Sequence, residues 1–262
     1  MGNITLRREA IIQTLVDSLE PLDYAYALYE GGAAAFHRVD DWSDIDLYLV
    51  VDDDKVDDSF VAVECALNSL SPIEQKYEVK LSQWPGLYQF FYRLRDTTEY
   101  LLIDFVVVKL SSKEKFLEPK IHGDIVFYFN KNDIIKAPQF DRDALIRRLH
   151  DRYVSLQDRI FMFNKFVQKE LNRGDYLEAI DTYFILILSP LVELLRQKYY
   201  PLHHDFKTHY IRYELPADVV DKLVTLYFVK DSVDLQKKYD EATKWLHKVI
   251  YEVGDVKHEY PF

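Results

Sequence analysis

Two aspartates at the head of an apolar, strand-like run constrain this chain more than any other feature. They stand in Ser43-Asp44-Ile45-Asp46-Leu47-Tyr48-Leu49-Val50-Val51, and the run just upstream ends on Gly31-Gly32. Aspartate is depleted from strands, and a lone buried carboxylate is costly. Residues two apart on a strand share a face, so Asp44 and Asp46 are expected to aim both carboxylates at one spot. Two anions held together call for a cation between them. Mg²⁺ suits, because it takes oxygen ligands and is commonly held by one or two carboxylates plus substrate phosphates.

A third acid, Asp104, lies inside Leu101-Leu102-Ile103-Asp104-Phe105-Val106-Val107-Val108, with three apolar residues before it and four after. If its strand neighbours that of Asp46, the three carboxylates form a cluster able to hold two Mg²⁺ ions for in-line attack at phosphorus. A Gly31-Gly32 turn ahead of a helix would let backbone N–H groups approach triphosphate oxygens, and Ser43 could donate to the same phosphates. Taken singly, each feature has a plain structural explanation: a tight turn for the glycines, a turn cap for Asp44 and Asp46, a buried ion pair for Asp104. Taken together, in this order, they favour metal-assisted phosphoryl chemistry.

The hydrophobic periodicity predicts a helix over 5–20, strands at 24–30 and 45–51 with a short helix near Ala33 between them, and a helix over 57–70. Further strands are expected at 77–81, 88–95, 99–110 and 125–129, with residues 95–99 as a hairpin turn. Residues 1–135 therefore form an α/β (α+β) domain, with a mixed sheet covered on one face. Residues 131–140 serve as a linker. Over 141–262 the texture turns helical, and a bundle of about four helices is expected, the second of them bent at Pro190.

Composition narrows the function classes. Hydrophobic residues make up 48% of the chain, enough for sizeable cores and against wholesale disorder. The single cysteine, Cys65, cannot form an internal disulfide, which fits a reducing compartment. The N-terminus lacks the apolar core of a signal peptide and no run reaches membrane-span length, so a cytoplasmic protein without a membrane partner is expected. A net charge of −11 disfavours nucleic acid as a partner, since phosphate neutralisation needs clustered Lys and Arg. The same charge is compatible with a cationic acceptor. Homodimerisation is left open.

At Gly31-Gly32, Asp44-Ile45-Asp46 and Asp104 the chain resembles the nucleotidyltransferase superfamily that includes DNA polymerase beta. The stretch from Trp42 to Val50 is similar to the form common in its aminoglycoside and lincosamide nucleotidyltransferase branch. The resemblance implies a catalytic domain in the first half and, in the second, a bundle that helps to bind the acceptor. It implies transfer of a nucleoside monophosphate from an NTP, with ATP expected, to a hydroxyl of a small-molecule acceptor such as an antibiotic of those classes. In that scheme Asp44 and Asp46 bind two Mg²⁺ ions, Asp104 ligates the catalytic one and accepts the hydroxyl proton, and Gly31, Gly32 and Ser43 attend the triphosphate. Two positions depart from the pattern. Gly32 stands where many relatives have Ser, and Ala33-Ala34-Ala35 stands where a basic residue often follows, with Arg38 the candidate substitute.

In the second half, Arg196 and His203 loosely echo the Arg…His signature of HEPN-type ribonucleases, but a solvated loop histidine is the expectation. Glu178 and Asp181 border an apolar stripe of Leu177, Phe184, Leu188, Leu191 and Leu195, and a polar helix border is favoured over acceptor contact. Two other function classes stay open. One is an antitoxin-like or non-catalytic module with a protein partner, and the other is an enzyme of this fold acting on protein or RNA. The intact acid triad argues against lost catalysis, and the lack of a basic tract argues against RNA.

Overall fold

The computed structural model describes residues 5–80 and 84–255, and the chain divides into two compact units between Phe140 and Asp141. The first unit is built on six strands: β1 (Ala25–Glu30), β2 (Ile45–Val51), β3 (Ile73–Glu78), β4 (Leu87–Leu94), β5 (Ile103–Lys109) and β6 (Val126–Asn130). They form one sheet in the order β3-β4-β5-β2-β1-β6. The β2–β5 pair is parallel and its neighbours are antiparallel, so the sheet is mixed, as the sequence implies. Helices α1 (Arg8–Leu19), α2 (Gly32–Ala35), α3 (Val56–Leu70) and α4 (Pro119–His122) complete this unit.

Strand periodicity assigns the two faces different work. Ile45, Leu47, Leu49, Val51, Ile103, Phe105 and Val107 are buried on one face. There they share a core with Ile11, Leu15 and Leu19 of α1 and Phe60, Val63 and Leu67 of α3. The alternate residues, Asp46, Tyr48 and Val50 of β2 with Asp104, Val106 and Val108 of β5, point to the other face. Val50, Val106, Val108, Leu87, Leu117 and Ile135 close a smaller core at one end of it. Asp46 and Asp104 lie at the opposite end of their strands, outside that core.

Two strands begin away from their expected positions. β3 starts at Ile73 rather than Tyr77, and Leu81 lies outside the described residues. Glu74, Gln75, Lys76 and Tyr77 are all exposed on this edge strand, so pairing with β4 sets it rather than any apolar alternation of its own. β5 starts at Ile103, because Leu101 N–H bonds to Thr98 C=O and the intervening residues turn.

The second unit holds α5 (Arg142–Phe163), α6 (Phe166–Arg173), α7 (Tyr176–Tyr183), a π-helical segment Phe184–Leu188, α8 (Ser189–Tyr199), α9 (Ile211–Glu214), α10 (Ala217–Tyr227) and α11 (Ser232–Asp255). Asp141 caps α5 by accepting from Ala144 N–H at 2.8 Å. The unit has more pieces than the four expected. The first helical stretch breaks at Asn164, and Gly174 ends α6 in the left-handed region at φ 75°. At Pro190 the helix widens into the π segment rather than breaking, since proline has no N–H to donate and its ring crowds the carbonyl one turn back.

Tyr183, Leu188, Leu191, Leu195, Leu223, Leu246 and Val249 lie in a core distinct from those of the sheet unit. Leu177 does not belong to it: the residue is 84% exposed, so the apolar stripe starts later than its sequence position suggests. Glu178 and Asp181 are exposed, as a polar helix border requires. The expectation of a solvated His203 is overturned, for it is 1% exposed. Its ring stacks on Phe206 at 4.0 Å, and its Nδ1 lies 2.8 Å from Glu214 Oε1. Arg196, fully buried, donates from Nη1 to Glu214 Oε2 at 2.5 Å, from Nε to Lys207 C=O at 2.5 Å and from Nη2 to His209 C=O. Arg196 and His203 thus converge on one acid and fasten the 200–215 connector. No helix among the described residues is long and apolar enough to cross a membrane.

Candidate active site

The parallel register of β2 and β5 places Asp46 directly opposite Asp104. Asp44 sits one residue before β2, where Ile45 N–H donates to Leu102 C=O at 2.9 Å and ties the two strand entrances together. Asp46 and Asp104 are partly buried and Asp44 is exposed. A central sheet position is what makes this costly for the chain: both strands are flanked on each side, and their remaining residues fill cores.

Electrostatics express that cost. Burial pushes the Asp46 carboxyl up to about 7, with the charges of Asp104, Asp44 and Glu30 adding to the rise and Arg8 opposing it. Burial likewise raises Asp104 to about 6, against the bonds from Gln89 and with the charge of Asp44. Asp44 is also raised by burial, opposed by a bond from the Leu102 backbone and by Arg93. Three carboxylates that resist ionising together are a site prepared for positive charge.

The glycines pack against this group. Gly32 has φ +52°, and a Cβ there would lie 1.8 Å from Asp46 Oδ2. Only glycine brings backbone so close to the carboxylate. Gly31 N–H donates to Asp46 C=O at 3.0 Å, extending the β1–β2 pairing, and a Cβ on it would meet the Tyr48 ring at 3.2 Å. Ser43 closes the preceding loop: its Oγ donates to Asp40 Oδ1 at 2.8 Å and accepts from Asp40 N–H at 2.9 Å.

The sequence does not single out the residues that hold the carboxylates in place. Gln89 of β4 donates from Nε2 to both oxygens of Asp104, at 2.8 and 2.9 Å. Glu30, 2% exposed at the end of β1, accepts from Arg8 Nη2 and, at 2.5 Å, from the Tyr128 hydroxyl. Arg8 Nη1 donates to Asp44 C=O at 2.8 Å, so one guanidinium from α1 ties the buried Glu30 to the loop carrying the first acid. An acid ending a buried strand was the available signal for Glu30. Its partners, 22 residues upstream and 98 downstream, leave no local pattern.

Among the described residues, no three His, Cys, Asp or Glu side chains are gathered closely enough to cage a metal ion. The donor set still fits Mg²⁺, which is commonly bound by one or two carboxylates together with substrate phosphates rather than by an all-protein cage. Asp46 and Asp104, opposed in register and each resisting ionisation, supply such a pair.

No family model matches the chain, and no curated protein matches it in sequence. Among solved structures it is similar to an aminoglycoside 6-adenyltransferase from Bacillus subtilis, at 13% identity and a TM-score of 0.37, over 98% of this chain and 94% of that one. It is similar to a nucleotidyltransferase-like protein from Exiguobacterium sibiricum, at 13% identity and a TM-score of 0.39, over 94% and 75% of the two chains. A STING-associated c-di-GMP synthase from Capnocytophaga granulosa gives 13% identity and a TM-score of 0.31, over 94% and 79%.

Proposed function

We propose that the protein is a nucleotidyltransferase that moves a nucleoside monophosphate from an NTP, with ATP the expected donor, to a hydroxyl of a small-molecule acceptor. The observation that carries this reading is the in-register opposition of Asp46 and Asp104, with Gly32 backbone pressed against Asp46. Asp46 and Asp104 are the pair that would hold Mg²⁺, with Asp44 the third acid that the resemblance adds at the entrance of β2. Bound there, Mg²⁺ would supply Lewis acidity and neutralise charge on the phosphates.

The chain's own residues have the following tasks. The backbone from Gly32 onward faces the triphosphate, since Gly31 N–H is taken by the sheet. Gln89 holds the Asp104 carboxylate in one orientation. Asp104 accepts the acceptor's hydroxyl proton as the new oxygen–phosphorus bond forms and pyrophosphate leaves. Arg8 and Glu30 fix the loop that presents Asp44.

Pyrophosphate release is the direct test, with each NTP supplied alongside a panel of hydroxyl compounds and Asp104→Asn as the control. Acceptor-dependent release that the substitution abolishes is expected. Nucleotide binding without release from any acceptor would favour the non-catalytic alternative.

A further inference from the structure

The sheet face that carries Asp46 and Asp104 continues past them onto β4 and β3. Register brings Gln89, Phe91 and Arg93 of β4, then Gln75 and Tyr77 of β3, onto that same face. The far end of the face is closed by the small core around Val106 and Val108, but this half is open. Tyr77 is 65% exposed, and Gln89, Phe91 and Arg93 are only partly covered. The Tyr77 and Phe91 rings lie 6.3 Å apart at 33°, so the open face presents aromatic surface beside the carboxylates.

Its charge is equally specific. Among the described residues of β3 and β4 on this face there is no Asp or Glu, and Arg93 is the one charged group. Arg93 donates to Glu99 C=O, and it stands on the same face two residues beyond Phe91, which pairs with Asp104. A polycationic aminoglycoside needs carboxylates around its ammonium groups. The β3–β4 half of this face offers rings, amides and a guanidinium instead, the set that recognises a planar group bearing an anion, while the carboxylates stand on β2 and β5.

Geometry assigns the surface to the acceptor rather than to the nucleotide. On the nucleotidyl-transfer reading, the triphosphate lies on the β1–β2 side, at Gly32. In-line displacement brings the attacking hydroxyl from the opposite side of the α-phosphorus, which is toward β4 and β3.

We propose that the acceptor is an aromatic hydroxy compound carrying an anionic group, its ring held by Tyr77 and Phe91 and its anion by Arg93. The inference rests on the reading under Proposed function. In the transfer, the acceptor oxygen bonds to the α-phosphorus and its proton passes to Asp104. The bond to the bridging oxygen breaks and its electron pair leaves with pyrophosphate.

Calorimetry on the full chain tests this with 4-hydroxybenzoate and kanamycin as probes, each titrated into the protein alone and into protein loaded with Mg²⁺ and a non-hydrolysable ATP analogue. The aromatic acid is expected to bind, and Tyr77→Ala and Arg93→Gln are each expected to weaken it about tenfold while Tyr77→Phe retains it. Affinity for the nucleotide analogue should stay unchanged in both Tyr77 variants, and the exposure of Tyr77 makes its substitutions safe for folding. Preferential binding of kanamycin, or binding of neither probe, overturns the proposal. A loss of nucleotide affinity in Tyr77→Ala also overturns it, by giving the rings to the nucleobase. If the aromatic acid binds and no nucleotide does, the acceptor surface stands and the nucleotidyl-transfer reading falls.

Discussion

At Gly32 the backbone is held at φ +52° with Asp46 Oδ2 only 1.8 Å from where a Cβ would stand. Gly32→Ala therefore imposes two costs, about 1–2 kcal/mol for a left-handed L residue and a clash relieved only by moving the carboxylate. The expected result is a lower thermal midpoint together with weakened Mg²⁺–ATP binding. Undiminished nucleotide affinity would show that Asp46 does not need its present position. Asp46 itself yields a pH dependence. Its folded-state value is raised to about 7, so the folded chain holds a proton that the unfolded chain has lost. Stability in EDTA should then fall as pH rises from about 4 to about 7, and remain low above that. Asp46→Asn should flatten this slope and raise the midpoint at pH 8, while Mg²⁺ with ATP restores the wild-type chain. Melts across the pH range decide it, and a slope identical in the Asn variant would assign the effect elsewhere.

At the scale of elements, the buried Arg196–Glu214–His203 group joins α8 to α9 across a connector with little regular structure. Burial alone would raise Glu214, but the bonds from His203 and Arg196 outweigh it and hold the carboxyl below its usual range. That stabilisation is present above the unfolded carboxylate value near pH 4 and is lost as pH falls further. Glu214→Gln should cost about 3–5 kcal/mol, because it leaves a buried guanidinium without its counter-charge. Urea unfolding followed by far-UV circular dichroism measures this, and a loss within error would mean the connector is secured by other contacts. The group also illustrates what local pattern conveys. Strands β2 and β5 were legible because central strands must be apolar on the core face, which made Asp46 and Asp104 conspicuous. Arg196 directly follows Leu195 of the apolar stripe, yet nothing near it in the sequence names Glu214 as its partner, so His203 reads as a loop residue. Gln89, Arg8 and Tyr128 escaped for the same reason: sheet register and tertiary packing place them, not periodicity. Edge strand β3, exposed from Glu74 to Glu78, shows that a strand can be fixed by its neighbour alone.

At the scale of the whole molecule, the buried clusters of 1–140 and of 141–255 are each assembled from their own unit. The first unit contains two cores on the two faces of one sheet, the opposed carboxylates, the Gly32 contact and the open aromatic half-face. Gly32, Asp44, Asp46 and Asp104 all precede Phe140. Residues 1–140 expressed alone are therefore expected to unfold cooperatively and to bind Mg²⁺–ATP as the full chain does. The fragment should also keep its affinity for 4-hydroxybenzoate, because Tyr77, Phe91 and Arg93 all belong to it. Calorimetric titrations of fragment and full chain, side by side, provide the comparison. Retained nucleotide binding with lost binding of the aromatic acid would transfer acceptor recognition to the helical unit, the role its resemblance implies. Loss of both in a fragment that still melts cooperatively would mean that the nucleotide site itself draws on residues after Phe140.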